Sequence, residues 1–347
     1  MTRNGDGSAP PGERRDPTTR RRRARRGSDR ASAALELLES GPVIVTGICG
    51  RLGRRLARQL HRSRPVIGLD RRPFPDRPKD VEHHAIDIRS KRSQDLFRAG
   101  SVAALVHLGV MHDPREDAED HHTWNIAGFQ KLLEWVAQYR VPKLVVLSSA
   151  SVYGPRPDNP HFLSEDAPLL GAGAFHQMRD LVELDMLAQS FFWKHPETET
   201  VILRPAHIVG TVQNAPSNYL RLDVVPTLLG FDPMVQIVQQ EDVVHAIRLA
   251  LRPGVRGIFN VAGPPPLALS RALSILGRRT LPMPYTLAKL GIERLWRWHM
   301  TSFPAPELDF IRYVCMVDDR RAREVLGYQH RFDVDRTLHS VDAERWL

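Results

Sequence analysis

Between Pro42 and Arg204, short apolar runs alternate with amphipathic stretches. Pro42–Thr46 is a brief apolar run bounded by turn residues and predicts a buried strand. Leu52, Leu56 and Leu60 then recur at helical spacing, predicting a helix over Leu52–His61. Strands are predicted at Pro65–Asp70, Val81–Ile88 and Val102–Leu108, with a short helix at Ser93–Ala99. A long amphipathic helix is predicted over His121–Tyr139, with Trp124, Phe129, Leu132, Leu133 and Val136 facing inward. Pro142 opens a strand at Lys143–Ser148, and a helix at His176–Lys194 and a strand at Thr200–Arg204 follow. Apolar strands alternating with helices predict an α/β fold, a doubly wound parallel sheet covered on both faces. After Pro205 proline and glycine become frequent and the alternation weakens. A helix at Glu241–Leu251, a strand at Gly257–Val261, a stiff break at Pro264–Pro266 and a helix at Leu287–His299 are predicted there. The last carries Leu287, Leu290, Leu295, Trp296 and Trp298, and also Lys289, Arg294 and Arg297. Packing of a small, irregular second lobe is expected of it, with membrane-surface contact as the other reading.

Charge refines this picture at one end only. The chain of 347 residues has a formal charge of +9, and residues 1–30 hold ten Arg against four acids. This tail, extended to residues 1–34, has almost nothing to bury and is expected to be a disordered, solvated segment. The sharper reading makes it an arm for nucleic acid or anionic lipid; elsewhere neither nucleic acid nor membrane is indicated. No apolar run is long enough to span a bilayer. Cys49 and Cys315 are the only cysteines, too few for a disulfide framework or a zinc site, and a cytoplasmic location is expected.

Candidate chemistry begins where the first strand ends, at Thr46-Gly47-Ile48-Cys49-Gly50-Arg51-Leu52-Gly53. Between a strand and a helix this glycine spacing has a physical purpose. Gly47 permits a tight turn, Gly50 allows close approach of a pyrophosphate, and Gly53 lets the helix pack on the sheet. The N–H groups of the first helical turn, at Arg51, Leu52 and Gly53, then face the phosphates. Asp70 ends the next strand at the position where a carboxylate accepts the adenosine ribose hydroxyls and repels a 2′-phosphate, which favours NAD over NADP. Arg71 and Arg72 follow it and weaken that preference, since either can pair with a phosphate. A Rossmann-type NAD-binding domain is therefore expected over residues 35–205. Residues 206–347 are expected to form a smaller substrate lobe, with some segments returning to the core.

Further motifs follow in order: Asp87-Ile88, His107-Leu108-Gly109, Asn125-Ile126-Ala127-Gly128, Ser148-Ser149-Ala150-Ser151-Val152-Tyr153-Gly154, Leu203-Arg204-Pro205 and Gln240-Glu241-Asp242-Val243-Val244. With the glycine loop, they resemble the extended short-chain dehydrogenase/reductases of the NAD-dependent epimerase/dehydratase family over roughly residues 42–345. The resemblance implies that Asp87 and Ile88 hold the adenine, that Leu108 and Gly109 pass under the cofactor, and that Asn125 belongs to the central helix beside it. It implies a small-molecule substrate, usually a nucleotide-linked sugar, bound by the C-terminal lobe. It also implies pairing of two copies through the helices His121–Tyr139 and His176–Lys194, a homodimer.

The family's catalytic set is Ser or Thr, Tyr and Lys, with Tyr-x-x-x-Lys on the helix after the serine strand. Ser149 occupies the serine position. In one register Phe175 stands for the Tyr and Arg179 for the Lys; in another, Gln177 and Leu181 do. Neither register supplies the pair, because no Tyr occurs between Tyr153 and Tyr219 and Lys194 is the only Lys there. Phe cannot move a proton. Arg179 can still bond the nicotinamide ribose but cannot deprotonate. His176 is a candidate replacement acid/base, although an adjacent helical residue points about 100° away; His161 is a more remote one. No metal is expected. Three functions remain open. The first is an epimerase/dehydratase-type oxidoreductase acting on a nucleotide-linked sugar or a related hydroxyl or carbonyl substrate. The second is a catalytically degenerate NAD-binding sensor or partner protein. The third is a basic-arm nucleic-acid or membrane-associated protein.

Overall fold

The computed structural model describes residues 36–111, 117–173, 176–297 and 305–344. The basic tail, Phe175 and Trp298 lie outside these residues. Seven parallel strands form the central sheet: β1 (Val43–Thr46), β2 (Val66–Asp70), β3 (Val81–Ala85), β4 (Ala104–His107), β5 (Lys143–Leu147), β6 (Glu199–Pro205) and β7 (Gly257–Val261). Their order is β7-β6-β5-β4-β1-β2-β3. The direction of winding reverses between β1 and β4, so a crevice opens at their C-terminal ends.

Helices α1 (Arg51–Leu60) and α2 (Lys91–Arg98) follow β1 and β3. Helix α3 runs from Ala118–His122 through a π-turn at Thr123–Ala127 into Gly128–Gln138. Helices α4 (His176–Lys194) and α5 (Gln240–Ala250) complete the cover of the sheet. The period-two alternation of the strands divides the core. Val43, Val45, Val145 and Val201 pack with Leu56, Val243 and Ile247 on one face. Ile44, Leu105, Leu144 and Ile202 pack with Phe129, Leu132 and Leu184 on the other. Both faces of each central strand are buried, which is why these strands read as continuous apolar runs.

A smaller core lies in the C-terminal lobe, where Val209, Tyr219, Leu220, Ile237, Leu269, Leu273, Leu308 and Leu338 pack together. It is served by α6 (Leu269–Ile275), α7 (Tyr285–Arg297) and two-stranded pairs, including Val224–Leu228 with Arg279–Met283. Here the structure departs from the sequence pattern. Leu287, Leu290 and Leu295 of α7 are exposed, and among the described residues Ala288 is the one that helix buries. The packing face is thus rotated away from the leucines. Among the described residues, no helix is long and apolar enough to cross a membrane.

A buried polar cluster ties the sheet to α4. Arg204 on β6 is 1% exposed and donates from Nε and Nη2 to the two oxygens of Asp185 at 2.9 and 2.7 Å. Its Nη1 donates to the Tyr153 hydroxyl at 2.8 Å and to the Glu165 carbonyl at 2.9 Å. Ser148 donates to Asp185 at 2.6 Å, and Tyr153 donates to Asn260 of β7 at 2.8 Å. Burial opposes the Arg204 charge, yet the fork-to-fork contact with Asp185 holds this guanidinium above its ordinary value. Removing one member leaves the other charged and uncompensated. Asp185→Leu is therefore expected to lower the unfolding free energy by about 3–5 kcal/mol. Pairing it with Arg204→Met should recover most of that loss, as urea denaturation of the three proteins would show.

Candidate functional site

The turn after β1 closes tightly on itself. Gly47 adopts φ +68°, in the left-handed region, and a Cβ there would meet Gly109 Cα at 2.7 Å. A Cβ on Gly53 would stand 2.4 Å from the Gly47 carbonyl oxygen. Gly50 caps α1 in an extended conformation and contributes no side-chain hydrogen bond to the helix. The first turn of α1, over Arg51, Leu52 and Gly53, thus faces the crevice with a positive dipole end and without an internal cap. This shape and polarity suit the two linked phosphates of a dinucleotide.

The floor of the loop is braced from β4. Thr46 Oγ1 accepts from the Gly109 N–H at 3.3 Å and meets His107 Nδ1 at 2.8 Å. His107 is fully buried and stacks on Phe129, and burial pushes its pKa down to about 3, so it stays neutral. Leu108, half-buried, passes beside this contact. From α3, Trp124 Nε1 donates to the Gly109 carbonyl at 2.7 Å. Asn125 grips the backbone of Met111 twice, accepting from its N–H at 2.8 Å and donating to its carbonyl at 3.1 Å. The π-turn, a local widening often seen where a helix serves a site, lies on these two residues. Asn125 thus fixes the chain leaving β4, a positioning task that the motif alone did not reveal. Gly128 packs on Ile88, where a Cβ would fall 2.8 Å from the Ile88 Cδ1.

Asp70 ends β2 and is buried. One oxygen accepts from the Cys49 N–H at 3.1 Å and from Arg72 Nη2 at 2.9 Å; the other accepts from Arg72 N and Nε, each at 3.0 Å. Although burial opposes ionisation, the Arg72 contacts hold this carboxyl below its ordinary value. Arg72 rather than Arg71 is the partner of Asp70. Arg71 lies over the Trp124 ring at 5.0 Å, and Arg89 lies over the same ring at 5.5 Å. Arg89 also clasps Asp87 through Nε and Nη2, at 3.0 and 2.7 Å. The acids at the ends of β2 and β3 are each buttressed by an arginine two residues on, a pattern visible in the sequence as Asp-x-Arg at both places. Cys49 donates its thiol proton to the Arg72 carbonyl, and burial pushes the thiol up to about 11, so it is no nucleophile.

Ser149 lies at the C-terminal end of β5, next to β4 in the sheet. It is half-buried, and its Oγ accepts from the Ser151 N–H at 3.1 Å. Tyr153, in the following short helix, is wholly occupied by Arg204 and Asn260, and burial pushes its hydroxyl up to about 12. It is a structural residue. Arg179 on α4 is exposed and forms no ion pair with the described residues. Phe175 lies outside them, as does the side chain of His176. Between α3 and α4 stands a pair that sequence reading missed. His121 Nδ1 meets Asp180 Oδ2 at 2.7 Å, and His122 Nδ1 meets Oδ1 of the same carboxylate at 2.9 Å. Asn125 Nδ2 lies 3.2 Å from His121 Nδ1. The residues involved are 58 and 59 positions apart in the chain, and no local spacing announces such a contact.

Beyond Ser151 and Met178 opens a cavity of about 100 Å³ in the C-terminal lobe, bounded by Tyr219, Val235, Leu269 and Phe310 among others. The glycine turn and this cavity therefore lie on either side of the Ser149 segment. Gly53→Ala is expected to weaken NAD binding at least about tenfold, because the helix must retreat from the Gly47 carbonyl. Gly100→Ala, where an added Cβ meets nothing within 4 Å, should leave it unchanged. Calorimetric titration with NAD would measure both.

Comparison with known proteins agrees with this geometry. The family model for the NAD dependent epimerase/dehydratase family matches residues 43–262. The uncharacterized protein Rv0501 of Mycobacterium tuberculosis is 28% identical over 302 residues, which is 84% of this chain and 80% of that protein. UDP-glucose 4-epimerase of Dictyostelium discoideum is 26% identical over 242 residues, 62% of this chain and 64% of that enzyme. Among solved structures, MoeE5 in complex with UDP-glucuronic acid and NAD superposes with a TM-score of 0.67 at 22% identity, covering 88% of this chain and 100% of that one. The UDP-glucose 4-epimerase of Thermotoga maritima gives 0.68 at 17% identity, covering 88% and 99%. A Rossmann-type sheet, a dinucleotide turn in register with it and a family match over more than half its length together establish that the chain belongs to the NAD-dependent epimerase/dehydratase family, with NAD as its cofactor.

Proposed function

We propose that this protein is an NAD-dependent oxidoreductase-type enzyme. Its substrate is a small molecule whose reacting carbon bears a hydroxyl or carbonyl oxygen, and its acid/base is not the usual Tyr. NAD supplies the hydride acceptor or donor in such chemistry. The residues would divide the work as follows. Gly47, Gly50, Gly53 and the first turn of α1, with Arg51 and Leu52, would hold the pyrophosphate. Asp70 and Arg71 would meet the adenosine ribose, Asp87 and Ile88 the adenine, and Leu108, Gly109 and Asn125 the middle of the cofactor. Arg179 would reach the nicotinamide ribose, and Ser149 would orient the reacting oxygen of the substrate. His176 is the proposed proton carrier in place of the Tyr for which Phe175 stands.

The observation that carries this reading is the position of Ser149. Its hydroxyl accepts one backbone hydrogen bond and is therefore oriented. It lies two strands from the glycine turn on one side, with β4 between them, and two residues from the cavity wall at Ser151 on the other. The expectation of a nucleotide-linked sugar comes from relatives named as UDP-glucose and UDP-glucuronate epimerases, and those two sugars open the substrate panel. A second reading, NAD binding without turnover, is favoured by the exposed Arg179, which engages no acid among the described residues.

Ser149→Ala is expected to cut turnover by about 10²-fold or more while NAD affinity stays within about twofold. Steady-state rates on a panel of alcohols, ketones and nucleotide sugars, with NADH absorbance or product epimerisation as the readout, test this. Undiminished activity in the variant would remove Ser149 from the mechanism. Saturable NAD binding with no turnover on any member of the panel would establish the second reading.

A further inference from the structure

The cavity beyond Ser151 is unusual in what it lacks. Among the described residues, no lysine or arginine lines it. Its wall is built from Met178, Pro216, Tyr219, Leu220, Val235, Ile237 and similar apolar groups. Apart from Tyr219, whose hydroxyl donates to the Pro226 carbonyl, three lining residues carry polar side chains: Ser151, His207 and Glu307. Each is electrically neutral near pH 7. Burial pushes the His207 imidazole down to about 4, and the ring stands edge-on to Phe310, with centroids 5.4 Å apart. Glu307 faces the cavity, and its apolar surroundings push the carboxyl up to about 8. It therefore presents a protonated acid, a hydrogen-bond donor, rather than a carboxylate.

Arg179, beside Met178, and Arg271, beside Ala272, are exposed and line no part of the cavity, and three further cations near it are committed elsewhere. Arg221 donates to the carbonyls of Val341, Gly210 and Val212 and to Asn218 Oδ1. Arg278 donates to the Leu220 carbonyl and pairs with Asp342. The Arg312 guanidinium lies 5.0, 4.4 and 4.8 Å from the ring centres of Phe231, Tyr285 and Tyr313. A diphosphate brings at least two negative charges, and recognising one takes cations or a fan of free N–H donors aimed at it. This cavity offers neither among the described residues. A wall that is mostly apolar with a few placed polar groups suits a ligand whose enclosed part is apolar.

We propose that the cavity between Met178 and Phe310 receives an uncharged lipophilic alcohol or ketone, ring-sized in the part it encloses, and not the diphosphate of a nucleotide sugar. This deepens the oxidoreductase reading and rests on it for the chemistry at Ser149. The apolar body lies against Val235, Ile237 and Leu269. Any polar substituent on the enclosed part meets His207 or protonated Glu307. The carbon bearing the reacting oxygen projects past Ser151 toward Ser149.

The test uses the full chain saturated with NAD, titrated calorimetrically with cyclohexanol, cyclohexanone and a graded series of straight-chain alcohols, then with UDP and UDP-glucose. Saturable binding is expected for at least one member of the apolar series and for neither UDP ligand. Val235→Lys, at a half-buried position that tolerates a long side chain, should weaken the apolar ligand about tenfold or more. NAD binding by the same variant shows that it is folded. Leu269→Trp, which fills the cavity, should act in the same direction. Saturable binding of UDP-glucose, or failure of the whole apolar series to bind the NAD-loaded protein, overturns the proposal. Apolar binding that persists in a protein with no affinity for NAD would strike the oxidoreductase reading and leave the cavity assignment standing.

Discussion

Arg204 carries a full charge into a region without water, and the architecture around Ser149 depends on how that charge is matched. Asp185 meets it with both oxygens, so the pair forms a neutral, planar unit in which every contact is charge-assisted. Five elements are referred to one guanidinium: β6 through Arg204 itself, α4 through Asp185, the end of β5 through Ser148, the short helix after it through Tyr153, and the loop at Glu165. Asn260 extends the network to β7. An apolar core of the same volume would hold these elements together but would not fix their register, since apolar contacts are non-directional. The hydrogen bonds fix the backbone at Ser148 and Tyr153, and Ser149 lies between them. The serine is therefore held by structure on both sides of its own turn.

The same constraint explains why Tyr153 takes no part in the proposed proton chemistry. A phenol that accepts from a buried guanidinium and donates to a buried amide has both of its hydrogen-bonding capacities filled. Releasing it for proton transfer would strand Arg204 with one donor unpaired, at a cost comparable to losing the whole contact. The cofactor half of the molecule is braced differently. There the bracing is steric: Gly47 sits on Gly109, Gly53 on the Gly47 carbonyl, and Thr46 couples the two ends through His107. Small residues and one neutral imidazole set the turn, and the loop's own polarity is left for the phosphates.

The portions of this organisation that could be read from sequence are those whose cause is local. Strand alternation, the glycine spacing and the acid at the end of β2 act within a few residues or one supersecondary unit, so Val43–Thr46, Gly47–Gly53 and Asp70 fell where the pattern placed them. Contacts between residues distant in the chain gave no such signal. The sequence Leu203-Arg204-Pro205 is unremarkable until Asp185 is known to face it. The pairing of His121 and His122 with Asp180 needs the crossing of α3 over α4. In α7 the pattern misled. Leucines at helical spacing suggested a packing face, but the lobe takes Ala288 inward and leaves Leu287 and Leu290 outside. Periodicity reports that a face exists and is silent on which neighbour is near enough to cover it. The strand predicted to reach Ile88 ends at Ala85 because Asp87 turns the chain to clasp Arg89.

The glycine turn and the cavity are physically separate, and the separation bears on what family membership implies. The dinucleotide turn is built from backbone N–H groups, a helix dipole and glycines, a set that demands an anion and little else. It lies at the C-terminal edge of the sheet, where the winding reverses. The cavity lies in the other lobe, with its own core around Leu220, Leu269 and Leu308, and shares with the sheet the Ser151 and Met178 wall. A likeness that is carried by the glycine turn, the serine strand and the sheet therefore specifies the fold and the cofactor. The charge of the cavity wall must be read from that wall, and among the described lining residues there is no lysine or arginine.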